Sequence, residues 1–246
     1  MSQMKPLTYI KQYATSCLMF LMCIVLCYRV MSNVPLSHDV YASSFPSEHS
    51  SPVIILDAGH GGEDCGTIGV NGVYEKDLNL KIVNMLYEYL LKEGYHTILT
   101  RVDDKLLYDP LTVEKGKKKI TDLTNRVKIA NQHEDAVLIS IHMNSYPSET
   151  VNGLQVWYGQ GEDSRLLAVG IQDTIKKDLQ ETNHRIPKAS GGHMYLLDMT
   201  ECTSVLVECG FLSNREECEK MCDENYQKEL SFRIFCAIVE YIKQKK

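Results

Sequence analysis

No two of the nine cysteines in this 246-residue chain are spaced as CxxC, so the paired thiolates of a closed structural zinc site are missing. P-loop, GxSxG and HExxH patterns are absent as well, which removes the commonest nucleotide-binding and hydrolase motifs. Basic excess is lacking: 26 Lys and Arg stand against 32 Asp and Glu, a net charge of −6 that argues against a nucleic-acid binder. There is no internal repeat and no low-complexity block. The one cationic stretch, Lys115 to Lys119, reads as a solvated face.

Long apolar runs are also scarce. Residues 14–28, ATSCLMFLMCIVLCY, form an unbroken uncharged and mostly apolar run, preceded by Lys5 and Lys11 and closed by Arg29. It is shorter than the ~20 residues a membrane span needs. It lacks a nearby small-x-small cleavage site, and Leu26 blocks a lipobox before Cys27. It therefore reads as a signal anchor, or else a signal peptide, with residues 1–13 cytoplasmic and the remainder exported. Residues 29–51, rich in Ser and Pro, read as a linker. The six cysteines beyond the apolar run are expected as free thiols, which suits a reducing or anoxic setting.

Residues 52–246 are enough for one domain with a sizeable core. Short β-branched runs alternate there with helical spacings. Strands are expected at 53–56, 96–100, 136–141, 154–158 and 205–207, and helices near 75–93, 121–133, 163–181 and 225–243. Alternation of this kind gives an α/β fold, a single domain with a mostly parallel twisted sheet flanked by helices on both faces.

Chemistry in such sheets gathers at the carboxyl ends of strands. Three strand ends carry polar groups: Asp57-Ala58-Gly59-His60, His142-Met143-Asn144, and Glu208-Cys209-Gly210, while Glu75 opens the first long helix. Two histidines with one carboxylate make an open catalytic zinc shell, and both glutamates are available as that carboxylate. Glycines beside His60 let the backbone turn, and Asp57 is close enough in sequence to orient a ligand histidine. His193, after Ser190-Gly191-Gly192, and Cys65, near His60, are lesser candidates. His96, His133 and His184 read as structural or solvated.

The segments ILDAGHGGEDCGTIG, YEKDLNL, LTNRVKIAN, LISIHMNS and VLVECGFLSN, in this order, resemble the zinc-dependent N-acetylmuramoyl-L-alanine amidases of the amidase-3 family. The resemblance runs from about residue 53 to the C-terminus. It implies one zinc ion on His60, Glu75 and His142, Glu208 as the catalytic acid/base, and supporting or substrate-contact roles for Arg126 and Asn144. GVYEKD and TNRVKIAN look most like the germination-specific branch, which strips stem peptides from spore-cortex muramic acid on the way to muramic δ-lactam. The implied partners are peptidoglycan, the membrane through the N-terminal segment, and an activating protein, with the domain facing the wall or cortex. A general vegetative wall amidase, another zinc peptidase or deacetylase, and a non-catalytic wall-binding protein are the competing readings.

Overall fold

The structure, a computed structural model, describes residues 51–111 and 113–245. The segment at 14–28 and nearly all of the 29–51 linker lie outside the described residues. Among the described residues no helix is long and apolar enough to cross a membrane.

Six strands form one sheet: β1 (Ile54–Ala58), β2 (Thr97–Leu99), β3 (Val137–Asn144), β4 (Gln155–Tyr158), β5 (Lys188–Ala189) and β6 (Thr203–Phe211). Their order across the sheet is β2-β1-β3-β6-β4-β5. The first four in that order are mutually parallel, while β4 runs antiparallel to β6 and carries β5 parallel to itself at the edge. The sheet is thus mostly parallel, with a reversed margin.

Helices α1 (Glu75–Lys92), α3 (Gly161–Asp178) and α6 (Glu224–Gln244) cover one face. In α1 the buried Leu78, Ile82, Leu86 and Leu90 recur every fourth residue, Glu75 and Asp77 complement the helix dipole in the first turn, and Gly94 at φ 78° follows its end. This face buries Ile54, Leu56 and Ala58 of β1 with Ile139 and Ile141 of β3. The opposite face is narrower, covered by α2 (Lys118–Asn131) and the short α4 (Tyr195–Met199), over Ile55 and Leu138.

Successive strand residues point to opposite faces. Asp57, Ser140, His142, Leu206 and Glu208 therefore fall on the α2/α4 face, and polar residues gather there near the carboxyl ends of the central strands. Burial of the remaining residues of β1, β3 and β6 is nearly complete.

β3 and β6 are longer than their apolar runs predict, because His142, Asn144 and Glu208 continue the strands. His142 pairs with Glu208 and Asn144 with Phe211, with an irregularity between the two pairs. Backbone pairing needs no apolar side chain, so the hydrophobic pattern stops short of the strand. Helix α5 (Arg215–Cys222), together with α4 and β5, was not expected from the pattern. Cys65, Cys202, Cys209, Cys218, Cys222 and Cys236 are all free thiols.

Candidate metal centre

The first ligand candidate sits on a turn that the backbone resists. His60 has φ 63°, the single positive value among the described non-glycine residues, and Gly61 and Gly62 follow at 143° and 53°. A left-handed histidine is strained unless its surroundings hold it. Two buried arginines supply that hold. Arg126 donates from Nη2 to the His60 carbonyl at 2.9 Å and from Nη1 to the Ala58 carbonyl at 2.8 Å. Arg101 donates from Nε to Ala58 O at 2.8 Å and from Nη2 to Gly59 O at 3.1 Å.

The turn brings the His60 ring against the other two candidates. His60 Nε2 lies 3.2 Å from Glu75 Oε1, and His142 Nδ1 lies 3.0 Å from the same oxygen. One donor atom from each of the three side chains lies within 4.8 Å of the other two. The two imidazoles meet edge to face, with ring centres 4.9 Å apart. Glu75 reaches them from the first residue of α1, where Met143 N–H donates to its Oε1 and Thr67 N–H to its Oε2. Burial pushes the Glu75 carboxyl up, but hydrogen bonds from His142 and His60 outweigh it and hold the group well below the usual carboxylate range. It is an anionic donor.

Space around the cluster is tight. A Cβ on Gly66, which sits at φ 65°, would lie 2.6 Å from Glu75 Oε2 and 2.7 Å from His60 Cδ2, and one on Gly59 would run into the His142 ring. Two nitrogens and one carboxylate oxygen, converging with an open side, form a donor set that fits a divalent ion.

Glu208 stands beside His142 across the β3–β6 pair. Its Oε2 is buried and has no hydrogen-bond partner among the described residues. Burial pushes its carboxyl up to about 7, with His142 pulling down and Glu75 pushing up. A carboxyl with that value exchanges protons near neutral pH.

Asp57 does not orient a histidine. It points to the α2 side, fully buried, and pairs with Arg126 while Thr100 Oγ1 and Ser140 Oγ donate to it at 2.7 and 2.6 Å. The residue that meets a ligand ring is Asp64, whose Oδ2 lies 2.9 Å from His60 Nδ1 while its Oδ1 accepts from Gly66 N–H. Such a carboxylate fixes the tautomer and leaves Nε2 for an ion. Neither Asp64 nor Arg101 was singled out in the sequence. Asp64 carried one signal, its place inside the glycine-rich turn.

Arg126 is 1% exposed, pairs with Asp57 and Asp122, and supports the turn through its carbonyls, while also lining the pocket beside the imidazoles. Asn144 ends β3, with its Oδ1 accepting from Ser145 N–H. His193 is exposed, and Cys65 turns its thiol to Gly66 O, outside the donor group. Beside the two imidazoles opens a pocket of about 170 Å³ walled by Leu123, Leu196, Leu206 and Tyr195. Asp198 pins the loop leading into that wall, accepting from Ser190 Oγ and from the N–H groups of Gly192 and Met194.

Residues 54–240 match the family described as N-acetylmuramoyl-L-alanine amidase. The germination-specific N-acetylmuramoyl-L-alanine amidase of Bacillus subtilis (strain 168) is 34% identical over 197 residues, covering 80% of this chain and 82% of that protein. The structure of the CwlD amidase from Clostridioides difficile, in complex with the GerS lipoprotein, superposes with a TM-score of 0.73 at 36% identity, covering 78% of this chain and 98% of that one. An N-acetylmuramoyl-L-alanine amidase from Clostridium difficile 630 gives 0.69 at 29% identity, covering 80% and 100%.

Proposed function

The chain belongs to the N-acetylmuramoyl-L-alanine amidase family, and from that premise we propose that it hydrolyses the amide joining the lactyl group of muramic acid to L-alanine, using one zinc ion held by His60, Glu75 and His142. It is a hydrolase of peptidoglycan. The observation that carries the zinc reading is the convergence of those three side chains within 4.8 Å. Zinc bound there supplies a polarised scissile carbonyl and a more acidic water.

The protein's own groups do the rest. Glu75 and Asp64 hold the two imidazoles in register, His142 directly and His60 from both ring nitrogens. Glu208, at about 7, takes the proton of the attacking water on its unpartnered Oε2 and delivers it to the leaving amine nitrogen. The lactyl carboxylate remains on the sugar and the stem peptide leaves with a free amine.

The setting proposed is the spore cortex, supported by the 34% identity to a germination-specific amidase. A freed lactyl carboxylate is what a following lactam-forming reaction would consume. Peptidoglycan lies outside the cytoplasmic membrane, so the domain acts there, tethered by residues 14–28. A lipoprotein partner is proposed from the CwlD complex with GerS.

The test is digestion of purified peptidoglycan by the zinc-loaded protein, with products read by mass spectrometry. Free stem peptides beside peptide-free glycan are expected. Glu208→Gln is expected to bind zinc normally and lose on the order of 10²- to 10⁴-fold in turnover. A variant with near wild-type turnover would remove Glu208 from this role.

A further inference from the structure

The lysine run at 115–119 is left unused by the chemistry above, and its position is costly for the helix it opens. The first turn of α2 holds no acidic residue, although a helix N-terminus favours negative charge, and Lys117, Lys118 and Lys119 crowd it instead. Two of the three are already matched: Lys117 Nζ with Glu114 at 2.6 Å and Lys118 Nζ with Glu63 at 2.9 Å. Lys119 is different. Its Nζ lies 3.6 Å from Asp64 Oδ2, beyond hydrogen-bonding length, and its side chain is 72% exposed.

Lys119 also occupies a junction. With Asp64 it lines the apolar pocket beside His60 and His142, and the same two residues line a second, more open cleft of about 390 Å³ with Lys118, Gly116 and Leu106. The two cavities therefore meet at Asp64 and Lys119, giving a path from the imidazoles to an ammonium; its inner part is lined by Leu123, Leu196 and Leu206 and also by Asp57, Asp122 and Arg126. Leu206 lies two residues before Glu208 on the same strand and the same face, so the pocket opens on the side of the group that protonates the leaving amine.

We propose that this path is the stem-peptide subsite: the apolar pocket takes the alanyl methyl group, and Lys119 takes the free α-carboxylate of the second residue, a γ-linked glutamate. The proposal rests on the amidase reading and deepens it. Reach agrees with it. An extended chain advances roughly 3.5 Å per residue, so the second residue lies about 7 Å from the scissile nitrogen. Lys119 is joined to the His60 ring through a single carboxylate oxygen, Asp64 Oδ2, which lies 2.9 Å from the ring and 3.6 Å from the ammonium. Asp64 stays anionic beside the ammonium, so an incoming carboxylate competes with a single 3.6 Å contact that is longer than a hydrogen bond, on an oxygen already engaged by His60.

The experiment uses the full-length zinc-loaded protein and two muramyl peptides that differ only in the second residue, glutamate or its α-carboxamide. Wild type is expected to favour the carboxylate about three- to tenfold in kcat/KM, expressed in KM, as suits one partly exposed ion pair. In Lys119→Met the ratio between the two substrates is expected to fall to about one, and in Lys119→Arg to return. A wild type without preference, or a Lys119→Met ratio equal to the wild-type one, overturns the subsite and leaves the amidase reading standing. Calorimetric binding of the two free stem peptides separates the claims further. A carboxylate preference lost in Lys119→Met supports the subsite even where neither muramyl bond is cut, the result that would sink the amidase reading alone.

Discussion

Asp57 and Glu208 are buried carboxylates on one sheet face, and their neighbours drive them in opposite directions. For Asp57, burial pushes up, but the Arg126 guanidinium and hydrogen bonds from Ser140 and Thr100 prevail and hold it at about 2. Glu208 has no such partner and rises to about 7. The first is a structural anion and the second can exchange a proton near neutral pH, a division set by environment. Because the folded value of Asp57 lies below its unfolded value of 3.8, its stabilisation is present above about pH 4 and is lost as pH falls through 2. The shift corresponds to about 2 kcal/mol. Urea midpoints measured from pH 5 to pH 2 are expected to fall more steeply for wild type than for Asp57→Asn, which starts lower at neutral pH because Arg126 loses one of its two buried carboxylate partners and keeps only Asp122. Parallel slopes would show that Asp57 contributes nothing to acid stability. In the sequence, Asp57 was legible as a polar residue closing an apolar run. Which way it faced was not, since that depends on the parity of the strand.

The turn from Gly59 to Gly66, between β1 and α1, behaves as an element in its own right. Its carbonyls are clamped by Arg101 and Arg126, Asp104 accepts from Gly62 N–H at 2.7 Å, and Gly61 and Asp64 pair with each other. His60 was legible as a ligand candidate from its glycine neighbours. Its brace was not, because a left-handed residue swings the ring toward Asp64, four positions later, where proximity along the chain had pointed to Asp57. Asp64→Ala is expected to weaken zinc binding about 10- to 100-fold, read by competition with a chelator, with the fold retained. Unchanged affinity would leave Asp64 a loop residue only. The same limit explains the short elements. α1 and α6 announce themselves through buried positions repeating with the helical period, whereas β5 has two exposed residues and α4 five positions in all, too few to carry a period.

Across the whole molecule, the layered α/β arrangement followed from alternation of strand and helix patterns. The reversed β4–β5 margin did not, since direction is set by where β6 inserts. β6 lies between β3 and β4, yet it is the last strand among the described residues, where β4 pairs with β6 and β5. Long-range pairing of this kind is slow, because loop-closure entropy must be met before contacts form. All three candidate ligands, by contrast, come from the turn after β1, the start of α1 and β3, which precede it. A chain made amino end first thus contains all three candidate ligands before it contains Glu208. In refolding from urea, zinc uptake is expected to run ahead of recovered hydrolysis, and a single shared rate would argue against this order. Under the proposed role of Glu208, the late strand would work as a safety catch: a wall-cutting enzyme would stay blunt until its last strand had closed the sheet.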